Sequence, residues 1–120
     1  RVLFPIFFFL FSKLTRPQIS TLFPYTTLFR STRILCLGDS ITDCGRLFSA
    51  DPLGKGYVKQ LSCLLHNTDH RFSIENRGID GFTLERLLQN TDFWLESSDP
   101  DIVTVLIGIN DVGIMMNTRR

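Results

Sequence analysis

The chain has 120 residues with 13 basic and 12 acidic side chains, a formal net charge of +1, which leaves room for one small domain. Residues 1–31 hold four basic residues, no acid and seven of the eleven Phe, whereas residues 32–120 hold nine basic and twelve acidic residues. The acidic part has no basic stripe, which argues against a nucleic-acid partner, and no segment reaches the roughly 18 consecutive apolar residues of a membrane span.

The first 31 residues are predicted to be a non-native leader. Residues 21–31 are identical to one reading frame of a common sequencing-library adapter, and residues 1–20 are expected to be foreign or out of frame as well. We expect this leader to be disordered or to form an adventitious helix. The alternative is a genuine secretory leader, since residues 2–11 have the length of a signal-peptide core, but no small-residue cleavage site follows them.

Residues 32–120 alternate between strand and helix patterns. Short apolar runs ending near Gly, Asn or Asp predict strands at 33–37, 72–76 and 102–107. Helical spacing of apolar residues predicts one helix over 57–66 and a second that Thr83 caps. The intervening stretch 39–56 is predicted to be a long loop with one helical turn.

This order predicts an α/β domain with right-handed crossovers, a parallel sheet of about three strands and helices on both faces. The third strand would lie in the middle of such a sheet, yet the chain ends about a dozen residues later. An open parallel sheet would expose an unpaired edge there. We therefore expect residues 32–120 to be the N-terminal portion of a larger domain.

Three polar, glycine-marked turns follow the three predicted strands, at 38–42, 76–81 and 108–111. Ligands of open α/β sheets bind at the carboxyl ends of the strands, so these turns are expected to share one rim. Ser40 offers a hydroxyl and a backbone N–H, Gly81 a backbone N–H that a substrate can approach closely, and Asn110 a neutral amide donor. A hydroxyl beside such donors suits the stabilisation of a tetrahedral oxyanion in acyl transfer.

The same three turns resemble the first three sequence blocks of the GDSL-type esterases, the SGNH hydrolase superfamily, and the resemblance covers residues 33–113. It implies a flavodoxin-like three-layer α/β/α sandwich, with Ser40 as nucleophile and the oxyanion held by the N–H groups of Ser40 and Gly81 and the side chain of Asn110. It implies no metal or organic cofactor. The matching segments are Gly38-Asp39-Ser40-Ile41-Thr42, Asn76-x-Gly78-x-x-Gly81-x-Thr83 and Gly108-x-Asn110-Asp111.

One departure from the family concerns the general base. The family's fourth block, Asp-x-x-His, does not occur after Asn110, and the two histidines, His66 and His70, precede the second predicted strand at the amino end of the sheet. A serine without its base is a weak nucleophile at neutral pH, so the fragment itself is expected to be inactive. Asp80, beside the predicted oxyanion donor, is expected to cap the helix that begins near Thr83.

The sequence thus predicts a serine esterase that hydrolyses small or carbohydrate-linked acyl esters through an acyl-enzyme. The alternative is a non-catalytic domain of the same fold that binds a carbohydrate or an anion at the same rim. The three cysteines, Cys36, Cys44 and Cys63, form neither a disulfide framework nor a zinc pattern, which slightly favours the cytoplasm. The sequence makes no prediction of the oligomeric state.

Overall fold

The computed structural model describes residues 7–12, 31–68 and 71–118. The expectations for His70 and for leader residues 1–6 and 13–30 lie outside the described part. The described chain contains four strands and four α-helices, with a 3₁₀ turn at Arg46–Phe48. The strands are β1 (Phe7–Ser12), β2 (Thr32–Gly38), β3 (Phe72–Gly78) and β4 (Ile102–Ile107). The helices are α1 (Ser40–Asp43), α2 (Tyr57–His66), α3 (Leu84–Ser98) and α4 (Ile109–Thr118).

The four strands form one sheet in the order β1-β4-β2-β3. β2 lies parallel to β3 on one side and to β4 on the other, which confirms the predicted parallel arrangement of three strands. The intervening segments carry α2 and α3, so the connections are the helical crossovers that parallel neighbours require. β2 is therefore the central parallel strand, and the segment that follows it is flanked by the ends of β3 and β4.

β1 was not predicted. Phe7–Ser12 pairs antiparallel with β4 over six residues, from Phe7 opposite Ile107 to Ser12 opposite Ile102. These six residues thus form a strand, whereas we expected the non-native leader to be disordered or to form an adventitious helix. Their pairing satisfies the outer edge of β4, which would otherwise present a row of unpaired backbone groups.

Helices cover both faces of the parallel strands. On one face Leu35 and Leu37 of β2 pack in a buried cluster with Leu87 and Trp94 of α3. On the other face Ile34 and Cys36 of β2 pack with Val58 of α2. Successive residues of a strand point to opposite faces, and because both faces of β2 are covered, its residues 34–37 are all buried.

The helix boundaries follow local capping chemistry. The hydroxyl of Thr83 accepts a hydrogen bond from the N–H of Arg86 at 3.4 Å, which confirms Thr83 as the N-cap of α3. The C-cap of α3 is Asp99, whose left-handed backbone (φ 44°) turns the chain toward β4. α4 was not predicted, and it begins directly after Gly108. Within the described residues, no helix combines the length and the apolar character needed to cross a bilayer.

Two glycines allow α1 to lie directly on the ends of the parallel strands. A Cβ at Gly78 would lie 2.2 Å from the backbone nitrogen of Asp43, and a Cβ at Gly38 would lie 2.5 Å from the carbonyl oxygen of Leu106. Both distances are too short for any side chain. Glycine at these positions is therefore required by close packing of backbone on backbone.

Gly78→Ala is expected to lower the free energy of unfolding by about 1–3 kcal/mol or more, because α1 must move away from β3 to admit the methyl group. Gly113→Ala is the matched control. Position 113 lies within α4 and has open space around a Cβ, so this change is expected to be neutral or to stabilise by up to about 1 kcal/mol. Urea denaturation measures both, and equal stability of the Gly78→Ala variant and the parent would contradict the packing argument.

Candidate active site

The three predicted turns meet at the carboxyl edge of the parallel strands. Gly38 is in register with Gly78 on one neighbouring strand and with Leu106 on the other. The segments that follow β2, β3 and β4 therefore leave the sheet side by side. This is the placement expected from the sequence.

The segment after β2 presents Ser40 at the first position of α1. Asp39 is buried at the N-cap, where its carboxylate accepts a hydrogen bond from the N–H of Ile41 at 3.0 Å. Ser40 is exposed, and within the described part of the chain nothing accepts a hydrogen bond from its backbone N–H. The cap thus fixes the start of α1 while the hydroxyl and N–H of Ser40 stay available to a ligand.

The segment after β3 forms a tight turn around Gly81. The N–H of Ile79 donates to the carbonyl oxygen of Gly38 at 3.1 Å, and the N–H of Phe82 closes the turn onto the carbonyl of Ile79 at 3.2 Å. Gly81 adopts a left-handed backbone (φ 78°), and no atom beyond its chain neighbours lies within 4 Å of where a Cβ would stand. Among the described residues none accepts a hydrogen bond from its N–H, so this donor is left for a ligand.

The segment after β4 docks on the Gly81 turn from the other side. The side-chain amide of Asn110 donates one hydrogen to the carbonyl oxygen of Phe82 at 2.9 Å, which leaves its second hydrogen for another acceptor. The carboxylate of Asp111 accepts from the N–H of Leu84 at 3.1 and 3.2 Å. Asn110 is thus bonded to Phe82, the residue after Gly81, and the Gly81 turn is joined to the Ser40 segment by the bond from Ile79 to Gly38.

A buried amide that the sequence analysis did not single out links the first two segments. Asn76 donates from its side chain to the carbonyl oxygens of Thr42 at 2.7 Å and Leu53 at 2.8 Å, and its side-chain oxygen accepts from the N–H of Gly78 at 2.9 Å. These three bonds tie α1, the following loop and the end of β3 to one side chain. Asn76 belongs to the second sequence block, which was the only available signal for its role.

The electrostatics of the rim are acidic. Burial raises the pKa of Asp39 from its ordinary value of 3.8, the N–H groups of Ile41 and Asp39 oppose this, and the charges of Asp111 and Asp80 raise it further. Asp80 does not cap α3, contrary to the prediction, because Thr83 and Asp111 occupy that position. Asp80 is exposed and contributes its charge to the rim instead.

His66 lies far from this rim along the fold. It ends α2, just before the chain returns to the start of β3, and its Nδ1 lies 2.6 Å from the carbonyl oxygen of Ser62 in the preceding turn. That position is at the amino end of the sheet, as predicted. His66 therefore caps the end of its own helix and is not placed to act on Ser40.

Comparison with known proteins identifies the family of this site. The model of the GDSL-like lipase/acylhydrolase family matches residues 36–120, which include all three turns. The chain belongs to this family. The resemblance inferred from the three sequence blocks is thereby confirmed.

Similar proteins include an acetylxylan esterase from Geobacillus stearothermophilus, which is 39% identical over an alignment of 87 residues that covers 67% of this chain and 40% of that protein. A solved acetyl xylan esterase structure from the same organism has a TM-score of 0.61 at 37% identity, covering 68% of this chain and 40% of that one. A protein assigned to the GDSL-like lipases from Parabacteroides merdae has a TM-score of 0.59 at 31% identity, covering 76% and 45%. The chain thus spans about two fifths of the length of these relatives.

The buried carboxyl of Asp39 is expected to make stability depend on pH. Because its pKa is raised in the folded state, the unfolded chain loses the proton first as the pH rises, so the contribution of Asp39 to stability falls as the pH rises above about 3.8. Asp39→Asn keeps an uncharged N-cap acceptor and removes this titration. The stability of the variant relative to the parent is therefore expected to increase as the pH rises above about 3.8, as measured by urea denaturation at several pH values.

Asp51→Asn serves as the control of opposite sign. A hydrogen bond from Lys59 lowers the pKa of Asp51, so its contribution to stability is present above its ordinary pKa and is lost as the pH falls. The Asp51→Asn variant should therefore lose stability relative to the parent as the pH rises. Parallel pH trends for the two variants would contradict the assignment for Asp39.

Proposed function

We propose that this chain carries the nucleophile and the oxyanion-binding donors of a serine esterase that works through an acyl-enzyme. Ser40 is the nucleophile. The N–H groups of Ser40 and Gly81 and the side-chain amide of Asn110 bind the anionic oxygen. The observation that carries the proposal is the hydrogen bond from Asn110 to the Phe82 carbonyl, because it holds a neutral amide donor against the turn in which the Gly81 N–H has no acceptor among the described residues.

The reaction runs in two steps. The Ser40 oxygen bonds to the ester carbonyl carbon while its proton passes to a general base, and the carbonyl oxygen becomes the anion that the three donors stabilise. The carbon–oxygen bond to the alcohol then breaks, and the alcohol leaves with the proton. Water, deprotonated by the same base, attacks the acyl-serine and releases the acid and Ser40.

The general base is the component that this sequence does not supply at the rim. No Asp-x-x-His follows Asn110, and His66 lies at the opposite end of the sheet. Ser40 is exposed, so its hydroxyl is accessible to a base. The acidic groups there favour the protonated form that a base acquires when it takes the serine proton.

The substrate class follows from the relatives. Proteins named acetylxylan esterase match this chain at 37–39% identity. We propose small acyl groups, acetyl above all, carried on a carbohydrate alcohol as the substrates. The absence of any atom beyond the neighbours of Gly81 within 4 Å of its missing Cβ lets a substrate approach this turn closely. A non-catalytic binding domain is not favoured, because the named relatives are esterases.

A chimera tests the nucleophile. Residues 36–118 replace the matching segment of the Geobacillus acetylxylan esterase, which supplies the remainder of the domain, and p-nitrophenyl acetate hydrolysis is measured. Ser40→Ala is expected to abolish turnover because it removes the oxygen that bonds to the acyl carbon. Ser97→Ala, a change at an exposed position of α3, should keep the parent rate. A folded chimera whose turnover survives Ser40→Ala would refute the assignment.

Asn110→Ala in the same chimera tests the oxyanion donor. Removal of one such donor costs about 10²–10³ in kcat, and we expect a loss of this size with KM little changed. Circular dichroism and the thermal midpoint show whether the variant is folded. A folded Asn110→Ala variant that keeps more than about a third of the parent kcat would exclude the amide from the oxyanion site.

A further inference from the structure

A half-buried guanidinium holds the peptide that leads into the Gly81 turn. Arg46 donates from Nε and Nη2 to the carbonyl oxygen of Gly78, at 3.0 and 2.8 Å. Its side chain is 14% exposed, and Asp43, 7% exposed, places a carboxylate oxygen 3.6 Å from Nε. Burial lowers the pKa of Arg46 while Asp43 opposes this, and a guanidinium stays charged throughout the accessible range.

The peptide group between Gly78 and Ile79 is fixed on both sides. Its carbonyl receives the two bonds from Arg46, and its N–H donates to the carbonyl oxygen of Gly38, two residues before the predicted nucleophile. A peptide group is planar, so anchoring both of its ends sets the direction in which the chain leaves β3. Gly81 is the third residue after Gly78, so this direction sets where the Gly81 turn begins.

The far side of the turn is anchored as well, by the bond from Asn110 to the Phe82 carbonyl. Gly81 therefore lies between two fixed peptide groups although its own backbone makes no anchoring contact among the described residues. Without Arg46, the Gly78 carbonyl would lose both of its side-chain bonds, and of this peptide group only the N–H of Ile79 would stay bonded. Glycine has the widest backbone freedom of any residue, so the direction of its N–H depends on these anchors.

We infer that Arg46 is a positioning residue for the oxyanion donor: by holding the Gly78 carbonyl, it aims the Gly81 N–H toward the oxygen that becomes anionic when Ser40 attacks the ester. This inference rests on the function proposed above. The left-handed backbones of Cys44 (φ 40°) and Gly45 (φ 77°) return the chain after α1 so that Arg46 reaches β3. The paired donors of a guanidinium suit one carbonyl oxygen better than the single point charge of a lysine.

The cavity beside Arg46 allows a rescue experiment. An open cavity of about 470 Å³ is lined by Arg46, Leu53, Asn76 and Arg77, among others. In an Arg46→Ala variant this space admits a small guanidinium ion from solution. Arg77 provides the matched control, since it is the same residue type on the same cavity but pairs with Glu75 at 2.6 Å.

The first measurement uses the 120-residue chain and does not depend on activity. Amide NMR of Arg46→Ala is expected to show shifted Ile79 and Gly81 resonances and faster hydrogen exchange at Ile79, with recovery on adding ethylguanidinium but not ethylammonium. Arg77→Ala should leave both resonances in place. Unchanged Ile79 and Gly81 resonances in the Arg46→Ala variant, or equal recovery by both cations, would overturn the inference.

The second measurement follows the reaction in the chimera. A misplacement of about 1 Å at a reacting group can cost about 10²-fold, so Arg46→Ala is expected to lower kcat about 10- to 100-fold with KM little changed, and ethylguanidinium should restore part of it. Arg46→Lys keeps the positive charge and serves as the second variant should Arg46→Ala not fold. It is expected to retain a kcat between those of the parent and the Ala variant. If Ser40→Ala abolishes turnover while both Arg46 variants keep the parent kcat, the inference fails and the esterase proposal stands. If Ser40→Ala remains active, the esterase proposal fails.

Discussion

The rim depends on one steric constraint, the absence of side chains where the first helix crosses the ends of the parallel strands. α1 is only four residues long, too short to be stable alone, so its position comes from contact with the sheet. Gly38 and Gly78 provide that contact, because a Cβ at Gly78 would lie 2.2 Å from the backbone of α1. Close backbone approach then brings the carbonyl of Gly38 within reach of the Ile79 N–H, and this hydrogen bond joins the segment that carries Ser40 to the turn that carries Gly81.

Polar side chains replace apolar packing at this edge. The two faces of β2 are closed by apolar clusters, but the strand ends leave backbone groups that a hydrophobic core cannot satisfy. The side chain of Asn76 accepts a hydrogen bond from the N–H of Gly78, and Arg46 donates to the carbonyl of Gly78. Both backbone polar groups of Gly78 are therefore bonded by side chains. A buried amide or guanidinium has fixed donor geometry, and its loss leaves unpaired groups behind. Such residues therefore hold the rim more rigidly than aliphatic contacts would.

Local patterns predicted the three parallel strands, the helix over 57–66 and the Thr83 cap, because each depends on neighbouring residues in the sequence. The elements that were missed depend on distant partners. β1 is a strand because it pairs with β4, which lies near the other end of the chain. Asp111 caps a helix that begins 27 residues before it, and it took the role assigned to Asp80. The family resemblance named Ser40, Gly81 and Asn110, but the contacts that hold them could be found only in three dimensions.

The acidic rim decides what kind of stabilisation this site can use. The charges of Asp80 and Asp111 both act on Asp39, and the combined field of these carboxylates opposes a further negative charge. An oxyanion at the proposed site would therefore be stabilised by directed, short-range donors, which in the proposal are two backbone N–H groups and a neutral amide. In the proposed mechanism the same field would favour the cation formed when a base takes the serine proton, so its cost at the oxyanion would be offset at the base.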